Sequence, residues 1–296
     1  MALSTQQVRG EAAAGKRAQR LRPAASVKPW GRRDLGPWGG AIGAARPGEL
    51  IGEIHHHLPD DPDPELFVKA LFTGERLSIQ VHPDAAAARR LGFARGKDEA
   101  WVVLEAERDA TIGLGLKSAC DAQTLRRAAL DGSIVDLMIW HPCRAGDVFF
   151  APAGSIHAIG GGVKLFEVQQ NLDMTFRLHD YGRPRDLHLD EALAVLDCSA
   201  WQGSVQPRML DGGRELLVAG PGFVMERLRG RGGVLAPAPG RPVWVAVIAG
   251  DVCFDTQPAG VGDVWQLTTS TVIAGEAELL LAYAGAEPAA ELWVPA

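Results

Sequence analysis

Three short stretches of this chain bring together residue types that bind cations and move protons. In Leu77-Ser-Ile-Gln-Val-His-Pro-Asp84, Gln80 and His82 stand two positions apart, so on a strand both side chains face the same side and can share one ligand. In Gly146-Asp-Val-Phe-Phe-Ala-Pro-Ala-Gly-Ser-Ile-His157, a Gly-Asp turn feeds a strand, Pro152 and Gly154 make a second turn, and His157 opens the next strand. One imidazole is thereby held at a fixed spot. Seventeen residues beyond His82, Gly96-Lys-Asp-Glu-Ala-Trp101 brings Glu99 to the start of an apolar run. Each histidine alone reads as a hydrogen-bonded core residue; together with Gln80 and Glu99 they read as metal ligands.

Those side chains need strands to carry them, and the sequence supplies strands. Leu77–Val81 alternates with period 2, while Ala100–Leu104 and Asp147–Ala151 are continuous β-type runs. Helices are expected only over Asp84–Leu91, Asp121–Leu130 and Asp190–Leu196, where Asp residues precede alanine- and leucine-rich turns. Strand signals resume beyond residue 200 at Val243–Ile248, Asp263–Leu267 and Glu278–Ala282. Gly146-Asp-Val-Phe149 and Gly262-Asp-Val-Trp265 echo one another 116 positions apart. The expected organisation is a flexible basic tail over 1–25, a ligand-bearing β domain over 26–198, and a second β domain over 199–296. The tail carries five basic residues against one acid and little apolar mass, so its removal is expected to cost nothing.

The spacing G-x5-P-x-G-x2-H, met by Gly146, Pro152, Gly154 and His157, resembles the second metal-site motif of the cupin β-barrels. Two imidazoles, a carboxylate and an amide oxygen then make a set suited to Zn²⁺, with positions left open for substrate. Taken in order, QVHPD, GKDEAW, PAGSIHAIGGG, EVQQNLDMTFRLHDYGR and DLHLDEAL resemble the class I mannose-6-phosphate isomerases in their short bacterial form. The resemblance is close from Lys28 to Leu196 and loose beyond. It implies two cupin-type β-barrels with a few helical insertions, the second degenerate and metal-free. It implies one Zn²⁺ per chain on Gln80, His82, Glu99 and His157. It also implies a sugar-phosphate pocket lined by Lys69, Lys97, Asp173 and Arg177, with Arg177 and Lys97 serving catalysis, and interconversion of mannose 6-phosphate and fructose 6-phosphate through an enediol. From the residues alone, Lys69 reads as an exposed position, and Arg177 either as a planar fork for an oxyanion or phosphate or as the partner of Asp173 on a helical turn.

One departure is local: Ile51-Gly-Glu is followed by Ile-His-His-His57, where the family usually has a Trp-Glu pair. On an extended segment His56 points away from His55 and His57, which reads as a solvated loop and not as a second metal site. Two other readings compete with the isomerase: an iron-dependent cupin oxygenase and a non-catalytic sugar-phosphate sensor. Thirty basic against 36 acidic residues, net −6, argue against nucleic acid as the main partner. No apolar run reaches the ~18–20 residues a membrane helix needs. The four cysteines, with no CxxC pair, read as free thiols, and the chain as cytoplasmic.

Overall fold

Residues 18–42, 48–58, 60–203 and 205–296 are described by a computed structural model of the chain. The first part of the chain forms β1 (Ala18–Arg20), β2 (Arg22–Arg32), β3 (Ile51–His57), β4 (Leu66–Thr73), β5 (Ile79–Val81), β6 (Glu99–Ala106), β7 (Thr111–Leu116), β8 (Met138–Pro142), β9 (Val148–Ala151), β10 (His157–Ile159), β11 (Val163–Gln170) and β12 (Phe176–His179). The second forms β13 (Arg208–Met209), β14 (Arg214–Ala219), β15 (Phe223–Leu235), β16 (Val243–Phe254), β17 (Gln257–Ala259), β18 (Val264–Leu267), β19 (Thr271–Ala284) and β20 (Trp293–Pro295). The helices are α1 (Ala85–Arg90), α2 (Ala122–Asp131), α3 (Ile134–Leu137) and α4 (Leu189–Val195). The mainly β class expected from the sequence is what forms. No described helix is long and apolar enough to cross a membrane, and all four cysteines are free.

The strands make three antiparallel sheets. One runs β2-β3-β4-β11-β6-β9, a second β12-β5-β10-β7-β8, and a third β1-β18-β16-β19-β15-β14-β13, with β17 beside β16 and β20 beside β15. Alternation along β4 shows how the layers stack. Val68, Ala70 and Phe72 point one way, into a core shared with Phe223, Met225, Trp244 and Leu280 of the third sheet. Leu71 points the other way, into a core with Trp101, Ile112, Leu114 and Leu165 between the first two sheets. The outer face of the second sheet is covered by the helices, with Ile79, Val81 and Leu178 against Leu125, Ile134 and Ala192. Each fully buried Val, Leu or Phe contributes about 1.5–3 kcal/mol, so the contact between the two parts of the chain is a core in its own right.

Two helix starts follow from their caps. Asp84 accepts the Ala87 N–H at 2.7 Å and Asp121 the Thr124 N–H at 2.9 Å; α2 stops at Gly132 in the left-handed region. The Gly-Asp echo is also one turn built twice. Gly146 and Gly262 have φ of 91° and 93°, and each following Asp carboxylate accepts the N–H three residues back, Arg144 at 2.9 Å and Gly260 at 3.0 Å.

The expected basic tail is corrected from residue 18 onward. Ala18–Arg20 pair with Leu267–Trp265 of β18, Arg22–Ser26 pair with β3, and Leu21 between them is 3% exposed. Counting apolar side chains missed this because backbone hydrogen bonds to two sheet edges, not side-chain mass, hold the segment. Residues 1–17 of that expected tail lie outside the described residues. The third sheet therefore takes eight strands from beyond residue 199 and its ninth, β1, from the N-terminal side.

Candidate metal-centred site

Register between neighbouring strands gathers the site. His157 on β10 lies opposite Gln80 on β5, and Arg177 on β12 lies opposite Gln80 on the other side. Ile79 and Val81 bury into the helix-side core, which turns Gln80, and His82 two residues on, toward the space between the sheets. From the facing sheet come Glu99 on β6, Lys69 on β4 and Glu167 on β11; Gln169 pairs with Glu99, and Glu167 with Lys69 and with Trp101.

His82, Glu99 and His157 bring one ligand atom each to within 4.8 Å of one another, and all three are buried. The His82 Nε2 is 3.2 Å from Glu99 Oε1 and the His157 Nε2 is 3.4 Å from Glu99 Oε2. Gln80 Nε2 stands 3.5 Å from His82 Nε2 and 3.3 Å from His157 Nε2. A half-turn of that amide puts its oxygen at the same point, with the Ser78 hydroxyl, now 3.2 Å from Oε1, free to accept from the amide nitrogen. The far nitrogen of each ring is committed: His82 Nδ1 donates to Met174 O and His157 Nδ1 to Ser155 O, both at 2.9 Å. That fixes both tautomers and leaves the Nε2 lone pairs directed at Glu99. Burial, then the Lys97 charge, pushes His82 down to about 3, and burial also lowers His157, so both rings are neutral as ligation requires. Burial works to raise Glu99, but the Lys97 charge 3.3 Å away holds it below the usual carboxylate range.

Cations line the approach. Lys97 Nζ is 3.3 Å from Glu99 Oε1. Lys69 Nζ sits 3.7 Å from Glu53 and 3.3 Å from Glu167; burial works against its charge, but Glu167 and Glu53 raise its pKa above the ordinary lysine value. A cavity of ≈ 680 Å³ is lined by Lys28, Lys69, Lys97, Asp173 and Arg177 among others, and one of ≈ 140 Å³ reaches Gln80, Glu99 and Glu167. Arg177 donates from Nη1 to Asp186 O at 2.8 Å, while its Nε is buried without a partner. Arg177 lies on a strand, which removes the helical turn that would pair it with Asp173. Lys69, read from residues alone as exposed, is 13% exposed.

Two carboxylates missing from the sequence reading belong here. Glu167 is 2% exposed and Glu53 8%. Burial first, then Glu99, pushes Glu167 above the usual carboxylate range, so that it holds a proton more readily than an ordinary glutamate. The signal lay in Val163-Lys-Leu-Phe-Glu-Val-Gln-Gln170: acid and amide at alternate positions of a buried strand, every second side chain facing inward. The expected loop over the three histidines is corrected. Ile51–His57 is strand β3, because Ile51 and Ile54 bury completely and take the histidines with them. His56 does point away from its neighbours, its Nε2 3.3 Å from Gly262 O, although all three histidines contribute to the wall of the large cavity.

No family model matches the chain. The mannose-6-phosphate isomerase of Streptococcus mutans is 33% identical over 193 residues, which is 62% of this chain and 61% of that protein. Mannose-6-phosphate isomerase ManA of Bacillus subtilis is 34% identical over 157 residues, 50% of each. The match thus spans about three fifths of the first relative and half of the second. Among solved structures, the mannose 6-phosphate isomerase from Bacillus subtilis superposes with a TM-score of 0.77 at 22% identity, over 90% of this chain and 99% of that one. A mutant phosphomannose isomerase from Salmonella typhimurium superposes with a TM-score of 0.70 at 12% identity, over 91% and 100%. The fold is shared along nearly the whole chain, and the resemblance seen in the motifs returns in the named relatives.

Proposed function

We propose that this chain is a zinc-dependent aldose–ketose isomerase of the mannose-6-phosphate isomerase kind, interconverting mannose 6-phosphate and fructose 6-phosphate through an enediol. The observation that carries this reading is the donor set Gln80, His82, Glu99 and His157 beside a cavity lined by Lys69, Lys97 and Arg177. Neighbouring ligand atoms held at about 2.0–2.2 Å from a zinc that keeps a position open for substrate stand about 3–3.6 Å apart. The contacts of His82 and His157 with the Glu99 carboxylate and the Gln80 amide, 3.2–3.5 Å, lie close to that spacing, in a set whose His82, Glu99 and His157 ligand atoms all fall within 4.8 Å of one another. With Glu99 the one anionic ligand, a bound divalent ion keeps net positive charge and supplies polarisation of a sugar carbonyl oxygen.

The chain's own residues do the rest. Lys97, held beside Glu99, sets a fixed positive charge next to the oxygen on which charge develops. Arg177, which lines the same cavity, offers a guanidinium fork suited to an enediolate or a phosphate oxygen. Moving hydrogen between C2 and C1 needs a group that gives and takes a proton within the cavity. Glu167, whose buried carboxyl retains a proton more readily than usual and which Lys69 orients, is placed for that role. Asp173, on the cavity wall, can accept from a sugar hydroxyl. In this reading the chemistry belongs to residues 26–198, where the cluster His82, Glu99 and His157 lies.

The test is a coupled assay for fructose 6-phosphate formed from mannose 6-phosphate, run on purified chain with and without chelator. Turnover that survives thorough metal removal overturns the zinc reading. Product formed in deuterated water is expected to carry label at C1 or C2 through exchange at the proton carrier; strictly internal hydrogen transfer at slow turnover points to a hydride shift instead.

A further inference from the structure

The reading above leaves the second part of the chain without a task, yet one buried residue joins it to the ligands. Asp98, 6% exposed, sits between Lys97 and Glu99. Its Oδ1 accepts the Ala153 N–H at 2.8 Å. Its backbone is locked to Gln170: the Asp98 N–H donates to Gln170 Oε1 at 3.1 Å, and the Gln170 N–H donates to Asp98 O at 3.1 Å.

Each partner leads somewhere. Ala153 lies in the turn Pro152–Ser155, and that turn touches both histidines: the Gly154 N–H donates to His82 O at 2.8 Å, and Ser155 O accepts from His157 Nδ1 at 2.9 Å. Gly222 lies in the turn joining β14 to β15, which is wedged against the first part of the chain. A Cβ on Gly222 would stand 2.4 Å from Gln170 Cδ, and one on Gly220 would stand 2.6 Å from Phe150 Cζ. The two glycines let the turn approach closely, Gly222 to the Gln170 side chain and Gly220 to the Phe150 ring.

We propose that Asp98 is a positioning residue: the Gly220–Gly222 turn of the second part packs on Gln170, which is bonded to the Asp98 backbone, and the Asp98 carboxylate holds the Pro152–Ser155 turn, and with it His82 and His157, in place for a divalent cation. A turn pinned at Ala153 by the Asp98 carboxylate keeps Ser155 O beside the His157 ring. The second part of the chain then acts as a clamp on the ligand set. This inference rests on the metal reading of the site and not on the isomerase reaction.

The experiment measures the Zn²⁺ dissociation constant by competition with a chromogenic chelator, and the visible spectrum of the Co²⁺-loaded protein, for the full chain and for Asp98→Asn, Asp98→Ala and Gly222→Ala. Groups that orient metal ligands typically change affinity about 10–100-fold when removed. Asp98→Ala is expected to weaken zinc by that factor and to alter the Co²⁺ spectrum, with Asp98→Asn between it and wild type. Gly222→Ala, which puts a methyl where the Gln170 side chain lies and so disturbs its bond to the Asp98 backbone without changing Asp98 itself, is expected to weaken zinc as well, and it carries the test if Asp98→Ala does not fold. Wild-type zinc affinity in folded Asp98→Ala, or in Gly222→Ala, overturns the proposal, whatever the melting temperatures. A wild-type chain that binds zinc but does not isomerise mannose 6-phosphate overturns the function proposed above and leaves this inference standing; one that binds no zinc overturns both.

Discussion

Gln80 and His157 face each other across the β5–β10 pair, with Gln80 Nε2 3.3 Å from His157 Nε2. They are 77 residues apart, yet the pairing register alone decides that they meet, since a slip of one residue would turn either side chain into the helix-side core where Val81 and Ala158 lie. The catalytic reading therefore depends on strand pairing as much as on the residues themselves, and the first prediction takes one of the pair away.

His157→Ala is expected to weaken zinc more than about 100-fold and to abolish turnover, because it removes a ligand outright and not merely its orientation. The ring is 2% exposed, so the truncation also leaves a cavity, but the strand keeps its backbone pairing with β5 and β7. Circular dichroism should match wild type. Full zinc occupancy in the variant would show that His157 is not a ligand.

Arg177→Lys keeps the charge and loses the fork. The Nη1 bond to Asp186 O and the uncommitted Nε–H cannot both be reproduced by an ammonium group. The expected result is a fall of about 10–100-fold in kcat/KM, equivalent to about 1.4–2.7 kcal/mol, with the melting temperature changed by only a few degrees. Wild-type kinetics would take Arg177 out of the mechanism.

Removing residues 1–25 is expected to destabilise the protein, contrary to what composition alone suggests. The deletion strips β1 from β18, removes the start of β2 from β3, exposes the surface covered by Leu21 and breaks the Arg20–Asp263 pair. Burial of Leu21 contributes about 1.5–3 kcal/mol by itself, and unpaired strand edges add to the loss. A drop of at least about 5 °C in melting temperature is expected. Deletions stepped between residues 17 and 25 locate it: the loss should begin once Ala18–Leu21 are cut.

What the sequence made legible was local. Gln80 and His82, the Pro152–Gly154 turn before His157, and the Asp caps of α1 and α2 are all specified within a dozen residues, and each forms. Glu167 and Glu53 were passed over, because what brings them to Lys69 is register, a property of two strands and not one: Glu167 lies opposite Lys69, and Glu53, two positions along β3 from the residue opposite Lys69, comes within 3.7 Å of its Nζ. The same holds for β1, whose partners lie some 250 positions away on β18. The three histidines of β3 fell between these cases: alternation gave the direction of His56 correctly, but the isoleucines that bury the strand, Ile51 and Ile54, carry their partners in the third sheet, where no local pattern shows them.

His56 yields a prediction about stability and pH that does not depend on the metal reading of the site. Its ring is 3% exposed, 6.4 Å from the Trp38 ring centroid and nearly perpendicular to it, with Nε2 3.3 Å from Gly262 O. Burial, before any other cause, drives its pKa down to about 4, and His55 and His57 push the same way while the Gly262 carbonyl pulls back. In the unfolded chain the ring titrates near 6.5. As the pH falls, the unfolded chain therefore takes up this proton first. The contribution of His56 is fully present above pH about 6.5 and is lost progressively as the pH drops toward about 4, by at most about 1.4 kcal/mol per pH unit and about 3 kcal/mol in total. His82 and His157 shift in the same direction, so the measurement is a difference between proteins. Urea denaturation of wild type and His56→Gln at several values between pH 4 and pH 7 should give a shallower loss of stability in the variant, which has nothing to protonate at that position. Parallel curves for the two proteins would mean that the His56 ring is not held neutral in the fold.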